Sequence, residues 1–167
     1  MELKGDKDMD YRIVERKEYE VVGKVIKVSC KDGENLRRIP EFWNECNNDG
    51  TVEKICAASK GNALLGICMD MELEKERMSY MIAVEDTGSN TDSSLTTRKI
   101  PAATWAVFTS IGPLPGAIQK VWERVFQEWL PATGYEHAEA PELEVYPEGN
   151  TMAECYRCEV WIPVVKK

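Results

Sequence analysis

The segment Leu114–Leu130 reads LPGAIQKVWERVFQEWL, and its apolar side chains recur every three or four positions. That spacing predicts an α-helix with one apolar face and one charged face. Pro131 and Gly134 follow the segment and are typical of a helix end. The aromatic side chains predicted to pack in the core, on this helix and on an earlier one, are Trp43, Trp122, Phe126 and Trp129.

Short extended runs surround this helix, and the same order of elements is predicted in both halves of the chain. Runs rich in β-branched and aromatic residues favour strands. Gly23 interrupts one of them, which predicts a bulge or a kink, and Thr51–Ala58 is ambiguous between loop and short helix. The first half is predicted as strand Val21–Ser29, helix Leu36–Asn47 and strands Ala63–Met71 and Arg77–Glu85, and the second as strand Thr104–Ser110, helix Leu114–Leu130 and strands Glu142–Tyr146 and Tyr156–Val165.

This order predicts an α+β fold built from two β-α-β-β lobes in a pseudo-two-fold repeat. The sheets are expected to be antiparallel with helices packed on one face. A stretch rich in Ser, Thr, Asp and Asn predicts a linker near residues 87–97, between a first lobe near 10–86 and a second near 98–167, all within one domain. A crevice between lobes is a preferred place for a small-molecule site, so we expect a central ligand groove.

Composition limits the classes of partner. The chain has 167 residues, of which 43% are hydrophobic and 30% charged, and a net charge of −8. Nucleic-acid binding requires concentrated positive charge, so we expect no direct contact with DNA, whereas an acidic surface favours cationic ligands. Neither a membrane-length apolar run nor a signal-peptide pattern occurs, Met1–Met9 being largely polar, and the six spread cysteines fit reduced thiols in a cytoplasm.

Leu143-Glu144-Val145-Tyr146 is the most informative short motif. Because strand side chains alternate, Leu143 and Val145 are expected to face the second helix while Glu144 and Tyr146 face the other way. A carboxylate beside an aromatic ring can simply be exposed to solvent and have no binding role. The alternative is a recognition pair, in which the acid neutralises a cation and the ring supplies a cation–π contact.

Several motifs of the second half occur together, namely GPLP at 112–115, EWLP at 128–131, PELEVY at 141–146 and CEVWIPV at 158–164. In this combination the second half resembles the gyrase-inhibitor-like effector-binding family, the ligand domains of AraC-type and MerR-type multidrug regulators, which also occur alone. The first half resembles that family more loosely, through Phe42-Trp43 and the paired strands around Gly66 and Tyr80.

The resemblance implies a groove between two lobes with Glu144 inside it, and it places Gly66 at the corresponding position of the first lobe. The implied ligand is a small organic molecule, cationic or amphipathic. The alternation of side chains along the strands adds aromatic residues as candidates for the walls of the groove. It does not decide which face of each strand lines the groove. The predicted ligand-binding residues are Glu144, Tyr146, Trp105, Tyr80 and Trp161.

Other reactive side chains carry weaker signals. Cys155 and Cys158 point to opposite faces if they lie on a strand, and no second pair completes a metal site. His137, the one histidine, falls in a polar segment predicted as a surface loop. We therefore expect no metal and no cofactor.

Three functions remain open at this point. The first is a stand-alone binding module, expected to be a monomer or weak dimer. The second is a hydrolase of cyclopropane-containing electrophilic natural products, with Glu144 as the proton-transfer group or water activator. The third is a protein-interaction inhibitor of the gyrase type, which requires a separate protein partner.

Overall fold

The chain forms antiparallel strands with helices packed against them, in the computed structural model that describes residues 10–59 and 62–167. Met1–Met9 lies outside the described residues. The α+β class predicted from the sequence is confirmed. None of the helices in the described part is long and apolar enough to cross a bilayer.

Strands and helices alternate along the chain in blocks. The strands are β1 Tyr11–Arg16, β2 Tyr19–Ser29, β3 Leu64–Glu72, β4 Arg77–Glu85, β5 Thr96–Ile100, β6 Ala103–Ile111, β7 Tyr135–His137, β8 Glu142–Tyr146 and β9 Arg157–Lys166. The helices are α1 Glu34–Asn48, α2 Thr51–Ala58, α3 Gly116–Arg124 and α4 Leu130–Ala132, with a π-helical segment Val125–Trp129 joining the last two and 3₁₀ turns at Lys31–Gly33 and Leu73–Lys75.

The first of two compact units is Glu18–Pro101. Its strands lie in the order β3-β4-β2-β5, and every neighbouring pair is antiparallel. Its core contains Phe42 and Cys46 of α1 and Ile55 of α2, which are fully or almost fully buried. These helices therefore cover the face of the sheet that carries Tyr80, Ile82 and the even-numbered apolar residues of β2 and β4.

The second unit combines β1 with Ala102–Lys167. Its strands lie in the order β1-β6-β9-β8, and β7 adds a further antiparallel pairing to β9. Its core joins Ile118 of α3 and Val125 and Trp129 of the π-helical segment to one face of β6 and β9. On β9 that face carries the even-numbered residues from Cys158 to Val164.

Most strands and helices agree with the prediction within a few residues. Thr51–Ala58, for which the sequence left a short helix open, is a helix. Two segments differ from the prediction: β5 occupies the end of the expected linker, and β7 occupies the expected surface loop around His137. Both unexpected strands are short and polar, so their pairing partners rather than apolar periodicity fix them.

The division into units also differs from the expected boundaries. The expected first lobe began near residue 10, whereas β1 pairs with β6 and belongs to the second unit. The expected second lobe began near residue 98, whereas the first unit extends to Pro101 because β5 pairs with β2. Backbone hydrogen bonds to distant strands decide both cases, and a sequence pattern does not record them.

Gly23 forms neither a bulge nor a kink, since β2 and β4 keep one continuous register from Val21 to Ser29. The position instead allows close approach of two backbones. A Cβ atom added to Gly23 would lie 1.9 Å from the carbonyl oxygen of Ile82 on β4. Glycine is therefore required here for space.

Candidate functional site

Glu144 lies in the middle of β8, on the side of the sheet that α3 covers. It pairs with Val160 of β9, and its side chain is partly buried. The indole Nε1–H of Trp122 on α3 donates a hydrogen bond to its Oε2 atom over 2.8 Å. A helix and a strand of the same unit thus hold the carboxylate.

This placement corrects the predicted orientation of β8. Glu144 and Tyr146 were expected to point away from the helix, yet Tyr146 packs against the core cluster that contains Ile118. Leu143 is buried on the opposite face. Alternation correctly groups the residues of a strand into two sets, but it does not say which set meets the helix.

Tyr146 and Cys158 are neighbours of the acid on this face. Burial raises the pKa of the Cys158 thiol, a hydrogen bond with Ser110 lowers it, and the negative charge of Glu144 raises it again. The thiol therefore stays protonated near neutral pH and is a poor nucleophile. The face offers a carboxylate and aromatic surface rather than a nucleophile.

Trp105 and Trp161 lie on the other side of the same sheet. Their neighbours Ala106 and Ile162 belong to the helix-side core, so alternation turns the two indoles away from α3. They contact each other edge to face, with centroids 6.0 Å apart. Trp161 donates its Nε1–H to Glu159 over 3.0 Å. The structure brings these two together but separates them from Glu144 by the thickness of the sheet.

Tyr80 belongs to the core of the first unit. It is 1% exposed, and its hydroxyl oxygen accepts a hydrogen bond from Trp43 Nε1–H over 2.8 Å. Its ring also meets Phe42 edge to face. Trp105 is likewise fully buried. Contact with a ligand would require either ring to become accessible.

His137 pairs with Glu142, the first residue of β8. Its Nε2 atom lies 2.7 Å from Glu142 Oε2, and its Nδ1 atom lies 2.6 Å from the carbonyl oxygen of Ala138. The hydrogen bond with Glu142 raises the pKa of His137, and burial opposes that shift in part. Glu142 and Glu144 are two residues apart on one strand, so both face α3.

Three of the four aromatic side chains predicted to pack in the core do so. Trp129 is buried, and Trp43 and Trp122 are partly buried and pack against the core clusters of their units. Phe126 is 45% exposed, so that prediction is wrong. The functional candidate that the sequence analysis missed is Trp122, which donates to Glu144. The available signal was its polar N–H, because a tryptophan in a protein interior usually pairs that group.

Metal ligands do not converge anywhere in the described residues, where no group of three or more His, Cys, Asp and Glu side chains could hold an ion. All six cysteines are described, and none forms a disulfide. Cys155 is exposed and Cys158 is buried.

The arrangement around Glu144 suits recognition of a cation. A partly buried carboxylate attracts positive charge more strongly than an exposed one, because less water screens the interaction. Trp122 and Tyr146 add aromatic surface of the kind that binds organic cations.

Comparison with known proteins identifies the family and the fold of the chain. A family model described as integron-associated effector binding protein matches residues 12–164. A curated DNA gyrase inhibitor from Erwinia billingiae is 36% identical over 67 residues, which cover 40% of this chain and 43% of that protein. The matched segment therefore spans less than half the length of that relative.

Solved structures extend the comparison over nearly the whole chain. SAV2435, solved bound to tetraphenylphosphonium, is 27% identical with a TM-score of 0.84 and 94% coverage of both chains. A transcription regulation protein from Staphylococcus aureus is 26% identical with a TM-score of 0.78, covering 94% of this chain and 99% of that one. A Vibrio cholerae integron cassette protein shares the fold at 16% identity, with a TM-score of 0.70 and coverage of 93% and 95%.

Proposed function

Because the chain belongs to the integron-associated effector-binding family, we propose that it is a small-molecule-binding module that holds a lipophilic organic cation at Glu144. The observation that carries the proposal is the partly buried Glu144 carboxylate, held by the Trp122 indole beside Tyr146. A cation on this face gains charge neutralisation from the acid and a polarisable surface from the rings.

The relative bound to tetraphenylphosphonium supports the class of ligand. That protein is similar over 94% of this chain, and its ligand is a bulky aromatic cation without hydrogen-bond donors. Such a ligand requires apolar and aromatic walls and one negative charge. The helix side of β8 combines those features within one unit.

Contact by the remaining predicted residues stays a sequence-based prediction. Trp161 is partly accessible, and Trp105 and Tyr80 are 0% and 1% exposed. Trp105 and Trp161 also lie across the sheet from Glu144. We therefore assign the cation to Glu144, Trp122 and Tyr146.

The test is a titration of the full chain with tetraphenylphosphonium, followed by calorimetry and tryptophan fluorescence. Glu144→Gln keeps the shape and removes the charge, and we expect the dissociation constant to rise about 10- to 100-fold, since charge-assisted contacts contribute about 1.5–3 kcal/mol. Glu154→Gln removes one exposed charge from the same unit and serves as the matched control. Equal affinity of wild type and Glu144→Gln would refute the assignment.

The hydrolase alternative is separated by a product assay. A cyclopropane-containing electrophile is incubated with wild type and with Glu144→Gln, and ring-opened product is measured. We expect no product above the uncatalysed rate from either protein. Turnover that depends on Glu144 would replace the binding module by an enzyme.

Gyrase inhibition is a second candidate function because a curated gyrase inhibitor matches 67 residues of this chain. A supercoiling assay with purified gyrase tests it directly. Inhibition that survives Glu144→Gln would indicate a protein-interaction surface separate from the cation site. Inhibition that disappears with Glu144→Gln would indicate one shared site.

A further inference from the structure

Three rings form a stacked row along the helix side of β8. Trp122 and Phe126 stack with centroids 5.9 Å apart and planes 10° from parallel. Phe126 and His137 continue the stack at 6.3 Å and 18°. We call Trp122, Phe126 and His137 the aromatic row. One end donates to Glu144 and the other end contacts Glu142.

The His137 end of this row has the geometry of a bound cation. Both ring nitrogens lie within 2.7 Å of an oxygen atom, one from a carbonyl and one from a carboxylate. A neutral imidazole carries one N–H and can donate to only one of them, whereas imidazolium donates to both. This geometry therefore favours an imidazolium ring, stacked on Phe126 and hydrogen-bonded to the Glu142 carboxylate.

The contacts of His137 with Phe126 and Glu142 resemble those proposed for a ligand cation at Glu144, except that the cation here is a side chain of the protein. An aromatic face and a carboxylate are present in both places. The Glu142 and His137 side chains are 23% and 34% exposed, so a solute can reach them. Phe126, whose ring lies between those of Trp122 and His137, is 45% exposed and offers a surface for an aromatic spacer.

We propose that Glu142 is a second anionic subsite, filled by His137 in the ligand-free protein, and that a ligand with two cationic groups on a flat spacer binds Glu144 and Glu142 together. The proposal rests on the proposed function of Glu144. Residues two apart on a strand are separated by roughly 6.6 Å along it. The second cation displaces the imidazolium from Glu142.

Binding of such a dication should depend on pH. His137 touches Glu142 of β8, lies opposite Val164 of β9 and stacks on Phe126 of the π-helical segment, so Glu142 is the charged group among these contacts. At low pH the imidazolium competes for Glu142. As pH rises the imidazole loses its charge and the second ligand cation competes more easily.

The probes are 4-xylylene-bis(trimethylammonium) and its matched monocation, 4-methylbenzyltrimethylammonium, titrated into the full chain between pH 5.5 and 8.5. For the wild type we expect the dication to bind about fivefold more tightly than the monocation at pH 8.5, an advantage of the size given by one partly exposed ion pair. The ratio of the monocation dissociation constant to the dication dissociation constant, which we call the dication advantage, should fall towards one at pH 5.5.

Two variants assign the effect to residues. Glu142→Gln should reduce the dication advantage to about one at every pH, while monocation affinity stays as in the wild type. His137→Gln should keep the advantage but remove its pH dependence. A dication advantage that survives Glu142→Gln would overturn the second subsite.

A measurement on the wild type alone keeps the proposal falsifiable if a variant fails to fold. The imidazole carbon-bound protons of His137 are followed by NMR during each titration. The dication should release the ring from Glu142 and shift these signals, and the monocation should leave them in place. Monocation binding with identical His137 responses to both probes overturns this inference alone, whereas absence of binding by both probes overturns the proposed function with it.

Discussion

A neutral donor stabilises a carboxylate without cancelling its charge, whereas a cationic donor forms an ion pair with it. Trp122 is a neutral donor to Glu144, and His137 is a titratable partner of Glu142. Two acids on the same face of one strand therefore have partners of different chemistry. At Glu142 a ligand cation must compete with His137.

The protonation of His137 can be measured without interference, because the chain contains one histidine. We expect its pKa in the folded protein to lie above 6.5, chiefly because of the hydrogen bond with Glu142. An NMR pH titration of the imidazole signals checks this. In Glu142→Gln the pKa should fall towards the ordinary value, and an unchanged pKa would contradict the pairing.

The same shift makes stability depend on pH in a fixed direction. A raised pKa means that the folded state holds the proton more tightly, so the ion pair stabilises the fold fully below about pH 6.5 and loses this effect as pH rises through the folded pKa. Thermal unfolding should therefore show a larger difference between wild type and Glu142→Gln at pH 5.5 than at pH 8.5.

Sequence alone identified Glu144 and Tyr146 as a pair on one strand face, and the structure keeps them together beside α3. It did not identify Trp122, since a tryptophan on an apolar stripe has the same pattern in a core as in a ligand wall. Nor did it predict the His137 contact, which depends on a three-residue strand held by pairing with β9.

At the scale of elements, the close approach of β2 and β4 at Gly23 gives a sharp test. Gly23→Ala would place a Cβ atom 1.9 Å from Ile82 O and 2.7 Å from Ala83 Cα, both backbone atoms. Because backbone cannot move aside without breaking the strand pairing, we expect a loss of about 3 kcal/mol or more in the free energy of unfolding. Chemical denaturation measures it.

Gly134→Ala is the matched control. A Cβ atom at Gly134 meets nothing within 4 Å, and its backbone conformation needs no glycine. We expect its free energy of unfolding to stay within about 0.5 kcal/mol of the wild type. Equal effects of the two substitutions would contradict the close approach.

Helices and strands with a clear periodic pattern of apolar residues were predictable from the sequence. Strands that form only because they pair with a distant strand were not. The bounds of β4 and β8 match the predicted strands, and α1 extends the predicted helix by a few residues. β5 consists of Thr, Arg, Lys and Ile in a polar stretch, and pairing with β2 makes it a strand. Burial by long-range pairing overrides local preference in such segments.

At the scale of the whole molecule, the net charge of −8 should assist binding of cations from a distance. We expect the affinity for tetraphenylphosphonium to fall a few-fold when NaCl is raised from about 50 mM to about 500 mM, since salt screens charges over a shorter distance. Calorimetry at several salt concentrations measures this. Triphenylphosphine oxide, a neutral compound of similar shape, serves as the control, and an identical salt response for both ligands would rule out the electrostatic contribution.

The second unit is assembled from two separated stretches of chain, because β1 precedes the first unit and pairs with β6. Dividing the chain after residue 101 would therefore not give two fragments that each contain a complete unit. In a fragment that begins at Ala102, the backbone groups of β6 that pair with β1 would be unpaired, and the Phe108 ring would lose its contact with Tyr11. An exposed edge strand of this kind can pair with a strand of another copy, so the fragment should form domain-swapped dimers or aggregates.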